Sequence, residues 1–499
     1  MSYKIDLSDV ERDGGVSLTQ QLVDRFAGAI DSGQLEPGEK LPTTRALAAE
    51  AGVNHLTAAR VYRRLAETGY VTATVGRGTF VRALAPAAAE ERGDDWQLYV
   101  LPESKLTYVD EVFADAFRLP DEPDMISLST GFPDPSLYPT EELGRIAADV
   151  FQRRGGEALD YLTAEGLPAL REQIAVRGRK AGFATDADEI VVTSGARQGL
   201  DLVSRCLLEP GDVAVVESPT FIGALHSLQS TGARVIGVPY GSDGLDIDAL
   251  EQVLARHEVK VVCLQTASQN PTGCDMSEEG RERLARLAME RNFFILEDGV
   301  YADLRFDDPG PRPIRELAPG HTIYVSSLSK MVGGGLRIGW VAARGPVLER
   351  IAHMKLESDF FTAAPVQHIA ADFLADGGYE RQLERSTGFY RERCDVLMES
   401  LERHLAGEYH ADRPNGGHHV WVTLNRPADE RALYAEALRH GVAYVPGMTA
   451  VAERPHETYL RLTFARVDPP DLEEGVKRLA RALREVRRRD RRTANVPLS

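Results

Sequence analysis

The sequence predicts an α/β protein in two parts: a small helical module at the N-terminus, then a large domain built on a mostly parallel sheet with a smaller α+β lobe after it. Three observations carry that reading. From residue 127 onward, short and uniformly apolar runs at 190–192, 213–216, 261–264, 293–296 and 323–325 alternate with helix-length stretches, as strands buried on both faces require. From about residue 361 the strands become half-polar, at 419–424 and 459–464, which marks a separate α+β lobe. Charge is divided as well. The chain carries −18 overall, yet between residues 42 and 82 Arg45, Arg60, Arg63, Arg64, Arg77 and Arg82 meet only Glu50 and Glu67, a local excess of +4. Such an excess inside an acidic chain points to a module with a partner of its own.

Composition bounds the rest. With 43% hydrophobic residues and no long apolar run, the chain offers no membrane-spanning helix. Its first residues, MSYKIDLSDVERDGG, scatter charges where a signal peptide needs an apolar stretch, so a cytoplasmic protein is expected. Cys206, Cys263, Cys274 and Cys394 lie far apart with no paired ligand spacing. They are expected as reduced thiols, and no metal site is expected.

In the N-terminal module, Leu18, Leu22, Phe26 and Ile30 recur every four residues and the pattern stops at Gly33, an amphipathic helix with a glycine end. A second helix is expected over 43–50, ending near Gly52, and a third from Asn54. The third places Ala58, Val61, Tyr62 and Leu65 on one face and Thr57, Arg60 and Arg64 on the opposite one. Two short helices joined at Ala51-Gly52-Val53, the second basic on its outer face, make a helix-turn-helix pattern. Strand runs at 70–75 and 79–81 flank the turn Gly76-Arg77-Gly78, a hairpin with an arginine at its tip. Helices followed by such a hairpin suggest a winged helix, which sets its recognition helix into the major groove of double-stranded DNA.

The stretch GEKLPTTRALAAEAGVNHLTAARVYRRLAETGYVTATVGRGTFV resembles the DNA-binding domain of GntR-type regulators along its whole length. The resemblance implies that residues 1–82 form this domain. It also implies that Arg45, Asn54, His55, Thr57 and Arg60 face DNA, with Arg77 in the wing.

Residues 83–95, ALAPAAAEERGDD, are rich in Ala, Pro and acid and show no periodic apolar face. A linker over 83–110 is therefore expected, ahead of a body over 111–499. In that body, chemistry concentrates at strand ends. In TIYVSSLSKMVGGGLRIGW the apolar run 323–325 ends in serines that deliver Lys330, and three glycines lead on to Arg337. An amine held among hydroxyls and near a guanidinium suits a Schiff-base lysine beside a phosphate. Ser194-Gly195-Ala196-Arg197 opens a helix directly after strand 190–193, and backbone N–H groups at a helix start can cradle phosphate. Asn270, in Asn270-Pro271-Thr272-Gly273, can donate to a phenolic oxygen. Asp298 at a strand end can keep a pyridine nitrogen protonated, with Tyr301 close enough in sequence to reach the same ring. Each feature alone is common. Together they are the residue types that a pyridoxal 5'-phosphate site needs.

In this order and spacing the set resembles the fold-type-I aminotransferase domain, over roughly residues 125–487. The resemblance implies Lys330, Asp298 and Tyr301 as catalytic residues. With them, Gly195, Ala196, Arg197, Phe221, Asn270, Ser327, Ser329 and Arg337 would bind the cofactor. It further implies that Tyr161, in YLTAEGLPALR, reaches the cofactor phosphate of a neighbouring subunit, hence a homodimer. Arg461, in TYLRLTF, would grip a substrate carboxylate alongside Asn270, a task suited to a forked and permanently charged guanidinium. Three positions depart from the family pattern. Arg197 stands where Gln or Glu is common and either adds charge to the phosphate or points away. Phe221 lacks the hydroxyl of the usual tyrosine, and Gly333-Gly334-Gly335 lacks the usual proline.

A GntR-type winged helix ahead of an aminotransferase-like body is similar to the MocR/GabR regulators. The resemblance implies a pyridoxal phosphate-dependent transcription regulator that senses an amine or amino acid through external aldimine formation at Lys330. It would be a dimer, often with each DNA head packed on its partner's body. The alternative is a pyridoxal phosphate-dependent aminotransferase of the 2-aminoadipate type that carries a DNA-binding module, since the catalytic set is complete. The last residues, RRRDRRTANVPLS, are expected either as a solvated basic tail or as one that touches DNA.

Overall fold

The computed structural model describes residues 17–32, 34–35, 38–68, 70–74, 78–81, 108–119, 122–182, 185–307, 310–453 and 457–494. Arg77 and the stretch 83–95 lie outside them, as do the side chains of the basic tail beyond Arg489. The chain divides into two compact units, Met1–Lys105 and Leu106–Ser499.

In the first unit, α1 (Leu18–Asp31), α2 (Thr44–Glu50) and α3 (His55–Glu67) each begin on a side-chain cap: Ser17, Thr43 and Asn54 accept from Gln20 N, Ala46 N and Thr57 N. A capped start satisfies amide groups that the first helical turn leaves free, which lets helices this short persist. Leu22, Phe26, Leu47, Ala58, Val61 and Leu65 meet in one fully buried core. Strands β1 (Val71–Thr74) and β2 (Gly78–Val81) pair antiparallel, Val71 opposite Val81, and Lys40 bridges to Phe80 on the outer side. Three helices and this hairpin make a winged helix-turn-helix.

The second unit is built on an eight-stranded sheet. Its strands are β4 (Ile190–Thr193), β5 (Val213–Ser218), β6 (Arg234–Gly241), β7 (Gly244–Leu245), β8 (Val259–Leu264), β9 (Phe294–Asp298), β10 (Thr322–Ser327) and β11 (Gly339–Ala342), in the order 4-11-10-9-8-5-6-7. Pairings β10–β9, β9–β8, β8–β5 and β5–β6 are parallel, whereas β11 runs antiparallel to both its neighbours. Both faces are covered. Along β5, Ala214 and Val216 pack into one apolar cluster and Val215 into another on the opposite side, which is why these strands read as unbroken apolar runs.

A smaller sheet, β12 (Tyr409–His410), β13 (His419–Leu424), β15 (Val445–Pro446) and β16 (Tyr459–Thr463), in the order 12-13-16-15, forms the α+β lobe. That lobe also draws on residues far ahead of 361. Strand β3 (Ile126–Ser127) pairs in parallel with β14 (Val442–Ala443), and helix α4 (Tyr108–Arg118) sends Asp115 to accept from the Tyr434 hydroxyl at 3.1 Å. Pairing of this kind joins segments more than three hundred residues apart, so no local pattern announces it.

Candidate functional site

Strand ends set the site. Lys330 lies just past the carboxyl end of β10, Asp298 closes β9, and the loop carrying Asn270 follows β8. Crevices at the carboxyl ends of parallel strands are where such sheets hold ligands. The Lys330 amine donates to Gly131 O at 3.0 Å and lies 5.2 Å from the centre of the Tyr301 ring. Burial brings its pKa down from 10.5 to about 8; the charge of Arg461 adds to this and that of Asp298 opposes it.

Asp298 is wholly buried. It accepts from Gln265 Nε2 at 2.9 Å and from Val300 N at 3.2 Å, and burial raises its pKa from 3.8 to about 6 despite those bonds. Gln265 organises this corner. Its amide N–H donates to Glu217 Oε2 at 2.9 Å, while its side-chain oxygen accepts from Asn270 N at 2.6 Å. Glu217, also buried, is pushed well above the ordinary carboxylate range by its loss of solvent. Sequence reading missed both residues because a single acid or amide just past an apolar run gives no periodic signal.

Beside them opens a cavity of about 180 Å³, lined by five of the expected residues, Phe221, Asn270, Tyr301, Lys330 and Arg461. Arg461, on β16, donates to Ser129 O at 2.7 Å and to Asn270 Oδ1 at 3.3 Å, and its Nε has no partner among the described residues. Burial lowers its pKa from 12.5 to about 10, so a bound anion would be strongly favoured there. Tyr301 shares a 3.3 Å hydrogen bond with His419 Nε2, and its phenol is pushed up by burial. His419 and the adjacent His418, which donates from Nδ1 to Gly131 O at 3.2 Å, were not anticipated. Both stay neutral: burial and the nearby positive charges hold His418 down at about 3 and His419 well below its ordinary value. The pair following Gly416-Gly417 at a strand start is the one sequence signal that could have marked them. Val112, Ser129, Thr130, Gly131 and Phe132 also line the cavity and come from a part of the chain where no site residue was expected.

The expected phosphate residues form a second group. Gly195 caps α5 (Ala196–Leu207) at φ +88°, and a Cβ there would lie 2.5 Å from Arg337 Nη2. Arg337 donates to Ser194 O at 2.7 Å, Ser327 pairs with Gly339 across β10 and β11, and Ser329 N donates to Ser327 Oγ at 3.1 Å. Gly195, Ala196, Ser327, Ser329 and Arg337 thus converge on one helix start. Arg197, whose direction the sequence leaves open, brings its Nη1 beside the Phe221 ring, in the space left by the missing side chain of Gly223. Tyr161 stands apart, 81% exposed, edge-on to Phe361 at 5.6 Å.

In the first unit, Arg45, Asn54, His55 and Arg60 are exposed and Thr57 is half-buried, all on α2, α3 and the turn between them. Asn54 spends its side-chain oxygen on the α3 cap, at 2.7 Å from Thr57 N, which leaves its NH₂ group outward. No helix among the described residues is long and apolar enough to cross a membrane.

Comparison with known proteins matches both units. The model for aminotransferase class I and II covers residues 123–479, and that for bacterial regulatory proteins of the gntR family covers residues 18–81. Among curated relatives, the uncharacterized HTH-type transcriptional regulator YdcR of Escherichia coli is 30% identical over 93% of this chain and 99% of its own. The probable rhizopine catabolism regulatory protein MocR of Rhizobium meliloti is 26% identical over 95% of each. A crystal structure of LysN, an alpha-aminoadipate aminotransferase from Thermus thermophilus complexed with N-(5'-phosphopyridoxyl)-L-leucine, superimposes with a TM-score of 0.70 at 33% identity. It covers 75% of this chain and 95% of that one.

The cofactor of this fold is pyridoxal 5'-phosphate, and the residues fit it. Asp298 is a buried carboxylate hydrogen-bonded only to neutral groups, as a partner for a protonated ring nitrogen should be. Gly195 leaves room at a helix start where a larger residue would collide with Arg337. Lys330 is a half-buried residue whose amine has a lowered pKa, at the edge of the cavity that Phe221 and Asn270 also line.

Proposed function

We propose, from the premise that this chain belongs to the class I and II aminotransferase family and carries a gntR-family head, that it is a cytoplasmic transcription regulator of the MocR type. Its winged helix would bind a double-stranded DNA operator, and its body would sense an amine or amino acid at Lys330. The observation that carries the reading is the presence of both parts in one chain, together with relatives named as regulators that match it over 93% and 95% of its length.

When bound, the cofactor supplies an aldehyde that amines can condense with and a pyridine ring that withdraws electrons. The chain's own residues do the rest. Lys330 offers a partly neutral amine near pH 8, the form that can act as a nucleophile or take up a proton. Asp298, steadied by Gln265, would hold a negative charge for the ring nitrogen. Tyr301 and Asn270 line the cavity and would donate to a ring oxygen, and Gly195, Ala196, Ser327, Ser329 and Arg337 would hold the phosphate. Arg461 takes the ligand carboxylate, exchanging its bonds to Ser129 O and Asn270 Oδ1 for a bidentate ion pair. A ligand that alters those contacts can bias DNA binding only through unequal affinity for two arrangements of the chain. Exposure of Tyr161 supports a homodimer in which it reaches a neighbouring subunit's phosphate, and heads exchanged between partners are part of the same reading.

The test is footprinting on the DNA flanking its own gene, with and without a panel of amines and amino acids. Lys330→Ala should keep DNA binding while losing the yellow absorbance of the bound cofactor and the response to ligand. A preserved response in that variant would remove Lys330 from the signal. The second reading, an aminotransferase of the 2-aminoadipate type, is favoured by the intact set Lys330, Asp298, Tyr301, Asn270 and Arg461. It would be established by sustained turnover of an amino acid with a keto acid.

A further inference from the structure

We propose that the ligand of this cavity is an α-amino acid with an uncharged, apolar side chain, and that Val112 of α4 is a residue that reads it. The inference rests on the reading of the cavity as an amino-acid site and adds the side-chain class. Among the described residues that line it, two carry charge, Lys330 and Arg461. Both have a task already, the first with an amine and the second with a carboxylate. Among the described residues no carboxylate lines the cavity, so a second ammonium or a guanidinium on the ligand would be desolvated near two like charges. Among those residues no further lysine or arginine lines it either, so a second carboxylate would lose its water without a counter-ion in return. The remaining wall is uncharged: Val112, Phe132, Phe221, Ile222 and Val445 supply hydrocarbon, beside the hydroxyls of Ser129, Thr130 and Thr449 and the neutral His419. An aliphatic or aromatic side chain gains from exactly the surface that a charged one loses on.

Val112 differs from the other wall residues in where its chain leads. It is 3% exposed, on a helix that begins at Tyr108, and the preceding stretch of chain runs back to the winged helix at Val81. Asp115 on the same helix accepts from Tyr434, which fixes α4 against the lobe that also carries Val445 and Arg461. Side-chain recognition therefore falls on the first described helix after the DNA-binding unit.

The experiment titrates the full-length, cofactor-loaded protein with single amino acids, following the cofactor absorbance. L-Leucine and L-phenylalanine are set against L-glutamate, L-2-aminoadipate, L-lysine and γ-aminobutyrate. The expected result is at least tenfold tighter binding of the apolar pair than of any of these four. Val112→Ala should weaken L-leucine about tenfold more than L-alanine, because two buried carbons of contact are lost with the one ligand and few with the other. Val445→Ala, on a different element, should shift the same ratio in the same direction and guards against a fold defect in α4. Tighter binding of L-glutamate or L-2-aminoadipate would overturn the side-chain class while leaving the amino-acid site in place. An absorbance that no amino acid changes would overturn the site reading itself. An unchanged leucine-to-alanine ratio in Val112→Ala would remove Val112 as reader.

Discussion

The lowered pKa of Lys330 can be tested directly in the cofactor-free protein. Burial, assisted by Arg461, takes the amine from 10.5 to about 8. At pH 7 that enlarges the neutral fraction about 300-fold, equivalent to about 3 kcal/mol. The assay is competitive labelling with an amine-selective reagent across pH 6 to 11, reading the Lys330 peptide by mass spectrometry against surface lysines. Half-maximal reactivity is expected near pH 8, and Arg461→Met should move the midpoint upward because a positive neighbour is gone. The sign for stability follows from proton uptake. Between about 8 and 10.5 the unfolded chain binds the proton that the folded chain has lost, so this residue's contribution to stability rises with pH through that window. At pH 7 the folded protein carries the full penalty, so Lys330→Met should stabilise the cofactor-free form by up to about 3 kcal/mol in urea unfolding. A labelling midpoint near 10.5, with no gain for Lys330→Met, would refute the argument that this amine is desolvated.

Other outcomes follow from the same geometry. Asp298 titrates at about 6 in the cofactor-free form, so cofactor affinity should fall as pH drops through 6 and its carboxylate is neutralised. Asp298→Asn should weaken retention about 100-fold at pH 7, measured by equilibrium dialysis, as removal of a buried charge partner does. With its pKa raised, the buried acid contributes stability at low pH that is lost as pH rises from 3.8 through about 6. The cofactor-free Asp298→Asn variant should therefore be the more stable above pH 6. Gly195→Ala should cost about 1–3 kcal/mol, because it places a Cβ at φ +88° against Arg337. It should also weaken the grip on inorganic phosphate in the cofactor-free protein, read by calorimetry. Asn54→Ala removes the α3 cap and should destabilise the first unit by about 1 kcal/mol. Asn54→Ser keeps a cap, so operator affinity lost in that variant too, with the stability of the first unit retained, would assign the side-chain amide group to DNA.

Much of the site was readable because its residues ride on local punctuation. Lys330 follows a strand and precedes glycines, Asp298 ends a strand, and Gly195 starts a helix, so residue type and position sufficed without any fold. The direction of Arg197 was open in the sequence, and it turns to Phe221 because Gly223 leaves space there. Gln265 and Glu217 escaped notice since their meaning lies in each other and in Asp298, across three strands.

By itself the sequence determined the two-part architecture, the winged helix, the parallel sheet and the lysine-centred set. Each of these follows from repeats of hydrophobicity or from short motifs whose partners are a few residues away. Tertiary structure alone decided that Gly131 would receive both Lys330 and His418, that β3 would join β14, and that Val112 would wall the cavity. Those contacts are closed only when distant segments are packed together, and packing answers to the shape and charge of the whole interior rather than to any stretch of chain.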